Sequence, residues 1–409
     1  MEQVHLSAGP RANHLQTVFY NCQSSYFVYT DEQVNDSHID PSVCFKAGKE
    51  YTPRAIFWDL KGGFGSLEQA SDVYEEKAVP TESYEEVPTG YTALDSWTDR
   101  FKVAIHPKSK WEIKNWHWAA RTPNGLANGS DSHEFLSYTE GKDEFDELNA
   151  DAGNEYVDEA VRPLLETCDY LQGINLTVDL TGWAGFVSPV LETIRDDYAP
   201  KTPIVTWALH NNGKYGQERI NTILESFISL NEWSDLLVPL ATSTSDTWEA
   251  AHKQNLIFEP VCLMSSLRRS RVSMQQLIND LTLDTECTIV QAKATTQVKT
   301  EDLFMPMKNT VHDYRLDFMK KSSQKLRKAL VIDRPRSSSL KLPEVDSIAQ
   351  YICPQVTEEY DLMRAELSLT NEPLQLRKLI KPWHHEFKEQ IYDLTEPYIW
   401  GYESDSDFD

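Results

Sequence analysis

No run of about 20 apolar residues occurs anywhere in the 409 positions, so no segment has the composition of a membrane-spanning helix. No two cysteines are spaced CxxC. The six, at 22, 44, 168, 262, 287 and 353, are scattered. That scatter argues against a zinc site or a thioredoxin-like motif, and the expectation is free thiols in a reducing compartment. Cations are scarce: 39 Lys and Arg stand against 64 Asp and Glu, a formal net charge of −25. Phosphate backbones and anionic lipids are held by Lys and Arg, so the surface as a whole is unsuited to either, and only a local basic patch stays open. Met1 to Pro10 show neither a charged leader ahead of an apolar run nor an Arg-rich, acid-poor pattern. The expectation is therefore a soluble intracellular chain.

What is present is globular composition, 40% hydrophobic and 25% charged. It suits two or three domains, or one large α/β unit with an appended piece. Val4, Leu6 and Ala8 read as a strand, Gly9-Pro10 as a turn, and Asn13 to Cys22 as a helix. Tyr26 to Tyr29 is a second apolar run, and Ala55 to Trp58 is a buried strand ending at Asp59 and a glycine-rich turn, Lys61 to Gly65. Residues 68–90 and 121–152 are polar and acidic and read as solvated loops. Residues 154–171 read as one amphipathic helix, with Val157, Val161, Leu164, Leu165, Cys168 and Leu171 on a face. Then follow a strand (Asn175 to Leu180), a loop (Thr181 to Gly185), a helix (Phe186 to Asp197), a strand (Pro203 to Leu209) and a helix (Arg219 to Leu230). This alternation predicts an α/β fold, a mainly parallel sheet with helices on both faces. The signal weakens beyond Leu256, where Leu277 to Leu281 reads as helix and Cys287 to Val290 as strand. The expected division is residues 1–240, a smaller α+β region over 241–400 with a basic stretch at 315–342, and a disordered acidic tail at 401–409.

Three loops follow strands and precede helices: Gly9 to Asn13, Asp59 to Gly63, and Thr181 to Phe186. A glycine-bearing turn at a helix N-terminus is a phosphate site in principle. Taken singly, such a glycine serves backbone conformation more often than a ligand. His384-His385-Glu386 reads as helix surface, because adjacent histidines diverge on a helix. Trp97 to Trp118 with interleaved lysines suits base stacking or, with more weight, core packing. The stretch 315–342 suits DNA, an anionic membrane or a solvated linker. Ser404 and Ser406 among carboxylates suit phosphorylation or a solubilising tail. No Ser-His-Asp or Cys-His arrangement is assignable from spacing.

Six ordered passages resemble tubulins. Glu166 to Leu176 is similar to the helix-to-strand passage before tubulin's glycine-rich signature loop. Tyr51-Thr52-Pro53-Arg54-Ala55, leading to Asp59-Leu60, resembles the segment before its acidic, magnesium-associated loop. Ala8-Gly9 through Asn13, His106-Pro107, Tyr138-Thr139 with Gly141-Lys142, and Asn221-Thr222 fall in the same order. Arg11 to Leu15 with Phe19-Tyr20-Asn21, and Asp59 to Leu67, resemble the narrower Misato-like family. The resemblance implies a tubulin-like fold with a nucleotide site at Gly9, Asn13, Asp59, Gly182, Gly185 and Asn221. For the fungal branch it also implies a role in inheritance of mitochondria and mitochondrial DNA.

The departures bear on chemistry. The signature loop keeps Gly182 and Gly185, while Trp183, Ala184, Phe186 and Val187 replace a glycine, the threonine, a serine and a glycine. An indole where backbone must approach a phosphate obstructs it, and the lost hydroxyl removes a donor. Lys61 replaces the acid beside Asp59, and no equivalent of tubulin's hydrolytic loop is found in residues 231–275. The expectation is a vestigial nucleotide site without catalytic or metal residues, and no cofactor unless residual GTP or GDP binding survives. The main reading is a non-catalytic scaffold in mitochondrial partitioning, at the outer mitochondrial face and in the cytoplasm. Its expected partners are proteins of mitochondrial distribution or the cytoskeleton, and a second copy of itself. The charge argues against direct DNA contact. The alternatives are a GTP-dependent polymer-forming GTPase and a nucleic-acid tether.

Overall fold

The computed structural model describes residues 2–24, 39–48, 51–60, 63–64, 97–113, 137–211, 214–215, 217–242, 247–268, 271–282, 285–295, 300–302, 307–309, 315–316, 329–333, 364–369, 372–380 and 385–399. Strand β1 (Glu2–Ala8) is buried from Gln3 onward, as a strand covered on both faces must be. One glycine separates it from α1 (Pro10–Ser24), where Pro10 occupies a first-turn position that needs no N–H donor. β2 (Ala55–Leu60), β3 (Lys110–Ile113), β4 (Leu171–Asp179), β5 (Ile204–Asn211) and β6 (Leu236–Thr242) complete a parallel sheet in the order β3-β2-β1-β4-β5-β6. His5 lies opposite Ala55 on one side of β1 and opposite Asn175 on the other. Helices α2 (Tyr138–Asp151), α3 (Gly182–Thr193) and α4 (Gln217–Trp233) belong to this unit. The α/β reading is therefore correct. The strand order reverses between β1 and β4, and ligands of such sheets bind beyond the carboxyl ends at that point.

Three local expectations differ from the structure. The helix expected over 154–171 is two short ones, Tyr156–Ala160 and Arg162–Leu165, and Leu171 already belongs to β4. Pro163 has no N–H to continue the helical ladder. The segment 121–152, expected as loop, contains α2. Ser137 Oγ accepts from the Glu140 N–H at 3.2 Å and the Glu140 carboxylate accepts from the Ser137 N–H at 3.1 Å, a reciprocal cap. Thr181 to Gly185 is not a free loop either. Thr181 Oγ accepts from the Trp183 N–H at 3.3 Å and the helix begins at Gly182.

Helix α5 (Thr247–Ser266) carries no amphipathic signal because its polar His252, Gln254, Asn255 and Glu259 are buried along with its apolar residues. It packs between α1 and a second, antiparallel sheet. That sheet has the order β8-β7-β10-β9, from β7 (Gln291–Thr295), β8 (Thr300–Asp302), β9 (Ala329–Asp333) and β10 (Arg364–Ser368). Helix α6 (Met274–Thr282) touches β9 of this sheet, and α7 (His385–Thr395) packs on α4. The expected strand Cys287 to Val290 is a single parallel bridge from Ile289 to Leu237 of β6, with regular pairing starting at Gln291. One buried apolar cluster runs from Val4 to Tyr398, so residue 240 falls within a continuous core. Tyr26 to Tyr29, the acidic segment 68–90, the acidic tail and most of the stretch 315–342 lie outside the described residues.

Phe64 and Trp97 meet edge to face with ring centroids 5.6 Å apart. Trp97 also stacks on Phe57 of β2, so the aromatic stretch that starts there opens as core, not as an exposed stacking surface.

Candidate functional site

The chain leaves β1 through Gly9, whose φ of +104° is a conformation that side-chain-bearing residues rarely adopt. A Cβ there would lie 2.7 Å from Cγ of Asp179. Asp179 ends β4, across the switch point, and is fully buried. Its carboxylate accepts from the backbone N–H of Arg11 at 3.2 Å and of Ala12 at 2.9 Å, and the Arg11 guanidinium lies 3.8 Å away. The first N–H groups of α1 form the positive end of that helix, and a carboxylate there stabilises by up to about 2 kcal/mol in buried geometry. A phosphate placed on these N–H groups would have to displace the carboxylate against like charge.

The second group is centred on Asp59, at the end of β2 and 1% exposed. Asn13 Nδ2 donates to it at 3.0 Å, the Trp97 indole N–H at 2.7 Å and the Leu60 N–H at 2.8 Å. Burial pushes its pKa up to about 6, and the three donors hold it from rising further. Asn13 is itself fully engaged. It donates to the Trp58 carbonyl at 3.1 Å and accepts from Ser7 Oγ at 2.7 Å. The Gly9 carbonyl accepts from the Asn13 N–H at 2.9 Å, so Gly9, Asn13 and Asp59 form one connected group whose polar atoms face one another and the protein.

Gly182 and Gly185 serve a different contact. They lie on α3 where it crosses α2, and the backbones touch there. A Cβ on Gly141 of α2 would lie 1.7 Å from the Gly182 carbonyl oxygen, and one on Gly185 would lie 1.9 Å from the Tyr138 carbonyl oxygen. Trp183 and Phe186 are fully buried and meet at 5.9 Å, with Phe186 also against Trp58 and Phe145. Their rings fill the space at the start of α3. Asn221 sits on α4, part-exposed, apart from the Asp59 and Asp179 groups in sequence and element.

His210, at the end of β5, is buried and its pKa lies well below the ordinary value, through burial first and then the charges of Arg219 and Arg11. The carboxyl end of the sheet thus gathers two guanidinium groups beside a neutral imidazole. Among the described residues no three His, Cys, Asp or Glu side chains converge as a metal would require. Asp179, Arg11 and Trp97 were not singled out as site residues from the sequence. The available signal for Asp179 was an acid closing an otherwise apolar strand at the switch point.

Comparison with known proteins bears on this geometry. A Misato Segment II tubulin-like domain model matches residues 1–112 and a Tubulin domain model matches residues 90–267. The chain is similar to Protein DML1 of Yarrowia lipolytica, 26% identical over 489 aligned positions that span 100% of this chain and 99% of that protein. It is 30% identical to Protein DML1 of Gibberella zeae over 60% of this chain and 54% of that protein, and 31% identical to Protein dml1 of Aspergillus clavatus over 52% and 47%. In these last two the match covers about half of the relative's length. The two models together run from residue 1 to residue 267, across β1 to α5 and both candidate groups, and the chain belongs to the Misato-like, tubulin-related family.

Proposed function

We propose that this chain is a non-catalytic, tubulin-like structural protein that acts in partitioning and inheritance of mitochondria and mitochondrial DNA, at the outer mitochondrial face and in the cytoplasm. The observation that carries the non-catalytic part is the Asp179 carboxylate seated on the first N–H groups of α1. Phosphoryl transfer depends on positioning and on compensating the charge of the phosphates. Here the helix end that would supply such compensation is neutralised from within, and Trp183 with Phe186 occupies the adjoining volume. Asp59 spends its lone pairs on Trp97, Asn13 and Leu60 and is half protonated near pH 6, which suits it poorly to holding a magnesium ion at a triphosphate. The organelle rests on family membership, and the expected partners are proteins of mitochondrial distribution or the cytoskeleton together with a second copy of the chain.

Two measurements test this. Calorimetric titration of the full chain with GTP and magnesium is expected to show no saturable heat, and phosphate release no turnover above a buffer blank. Turnover that disappears in Asp59→Ala would overturn the non-catalytic reading. Depleting the protein in its own cells is expected to leave daughters with unequal mitochondria and mitochondrial DNA. Normal segregation on full depletion would remove the organellar assignment.

A further inference from the structure

Helix α3 does not end as an ordinary α-helix. Ile194–Tyr198 forms one wider turn, closed by the Ala199 N–H donating to the Ile194 carbonyl at 2.7 Å. Turns of this kind are rare and recur at functional sites. The base of the turn is pinned by Arg195, which donates to the carbonyls of Trp233 at 3.2 Å and Thr202 at 2.8 Å and pairs with Asp235. At the tip, Tyr198 is part-exposed, and its hydroxyl donates to Asp158 Oδ1 at 2.5 Å. That bond ties the end of α3 to the short helix Tyr156–Ala160.

Arg162 Nη1 donates to the same Asp158 oxygen at 3.2 Å, and its Nε donates to Glu166 at 2.7 Å. One carboxylate oxygen thus joins a phenolic hydroxyl to a guanidinium. The arrangement is open to solvent, since the Arg162 side chain is 52% exposed and that of Asp158 37%. Other tyrosines are placed differently. Tyr20, Tyr156 and Tyr398 are buried, and the Tyr138 hydroxyl donates to Ser229 of α4. Directly ahead of Tyr198 stand Asp196 and Asp197, both exposed.

We propose that Tyr198 is a phosphorylation site, the target of a tyrosine-directed protein kinase that reads acidic residues ahead of its substrate, and that Arg162 receives the phosphate. The kinase moves the γ-phosphoryl group of ATP to the Tyr198 hydroxyl oxygen. The bond to ADP breaks, the new O–P bond forms, and the phenolic proton leaves to the kinase's base, with nothing oxidised or reduced. The modified side chain has no proton to give Asp158, and a group of nearly two negative charges faces that carboxylate. Arg162 already holds the same carboxylate oxygen, and a guanidinium takes a phosphate in the forked geometry it uses for a carboxylate. The tie between Tyr198 and Asp158 is exchanged for one between the phosphate and Arg162, and Glu166 loses its partner. The site shares no residue with the Asp59 and Asp179 groups, so the inference stands apart from the function proposed above.

The test treats the folded full chain with a recombinant tyrosine kinase of acidic preference and magnesium ATP, then maps phosphate by mass spectrometry of tryptic peptides. Expected is phosphate on the peptide Asp196 to Lys201. The phosphorus NMR signal that is missing from Tyr198→Phe belongs to this site. Its second ionisation should be about fivefold stronger in wild type than in Arg162→Ala, because a neighbouring cation favours the dianion by about the worth of one exposed pair. Thermal unfolding of wild type, Tyr198→Phe and Arg162→Ala shows that each is folded when treated. If the peptide takes no phosphate, or takes it only after the chain has been heated through its unfolding transition, the proposal fails. It fails equally if the signal titrates alike in wild type and Arg162→Ala.

Discussion

The carboxylate of Asp179 lies 2.9 Å from the backbone nitrogen of Ala12, a partner 167 positions away in sequence. It joins the ends of β1 and β4 at the one place in the sheet where the strand order turns about. The interaction both closes the crevice and completes the first turn of α1. Removing it should be costly twice over, because the N–H groups of Arg11 and Ala12 and a nearby guanidinium then lose their acceptor. Asp179→Ala is expected to lower the unfolding free energy by about 3 kcal/mol in urea titration. Inorganic phosphate should restore more stability to this variant than it adds to wild type, because the vacated helix end accepts an anion. An equal phosphate effect on both proteins would contradict the role given to this carboxylate.

Asp59 gives stability a defined dependence on pH. Its folded pKa, about 6, lies above its unfolded value near 3.8. The folded state therefore binds the proton more tightly, and the fold gains as pH falls through 6 towards 4. At pH 7 the buried carboxylate costs about 3 kcal/mol relative to an unperturbed one, at 1.36 kcal/mol per pH unit. Comparing wild type with Asp59→Asn removes every other titrating group from the difference. Between pH 7 and pH 5, wild type should gain about 1 kcal/mol on the variant in urea unfolding. A difference that is flat or of opposite sign would refute the assignment.

Trp97→Phe keeps an aromatic ring near Phe57 and Phe64, removes the indole N–H that donates to Asp59, and trims the ring system from two rings to one. The expected loss is about 2 kcal/mol at pH 7, the cost of a buried charge short of one donor. The penalty should shrink at pH 5, where the carboxyl group is largely protonated. A penalty independent of pH would mean that the ring, and not the hydrogen bond, carries the effect.

The crossing of α2 and α3 predicts a contrast between two glycines. Gly141→Ala drives a methyl group into the Gly182 carbonyl and should cost more than about 3 kcal/mol, through forced separation of the helices. Gly153 has φ of +67° with open space around it, so Gly153→Ala should cost only about 1 kcal/mol of backbone strain. Thermal unfolding of the two single variants checks the order.

The parallel sheet was legible because its strands are apolar runs punctuated by glycine and proline, as at Ala55 to Trp58 and Asn175 to Leu180. Helix α5 was not, because a helix buried on all sides, with His252, Gln254 and Asn255 inside, presents no contrast between faces. The segment 154–171 was misread because Leu171 falls at helical spacing but belongs to the next strand. At the site, Asn13 and Asp59 were named from the resemblance alone. Asp179 was missed because its partners lie across the sheet, and no local pattern announces a contact made at such separation. Gly182 and Gly185 looked like a ligand cradle because glycine signals close approach of backbone without saying what approaches.

The meeting of Phe64 with Trp97 has a practical corollary. Among the described residues the polypeptide leaves the rim of β2 at Phe64 and is back against it at Trp97, so the two sides of this departure are held by aromatic packing. A fluorescent protein or an affinity handle spliced into residues 65–96 should leave the pairing of β1 with β2 intact, which makes this the natural place to tag the molecule.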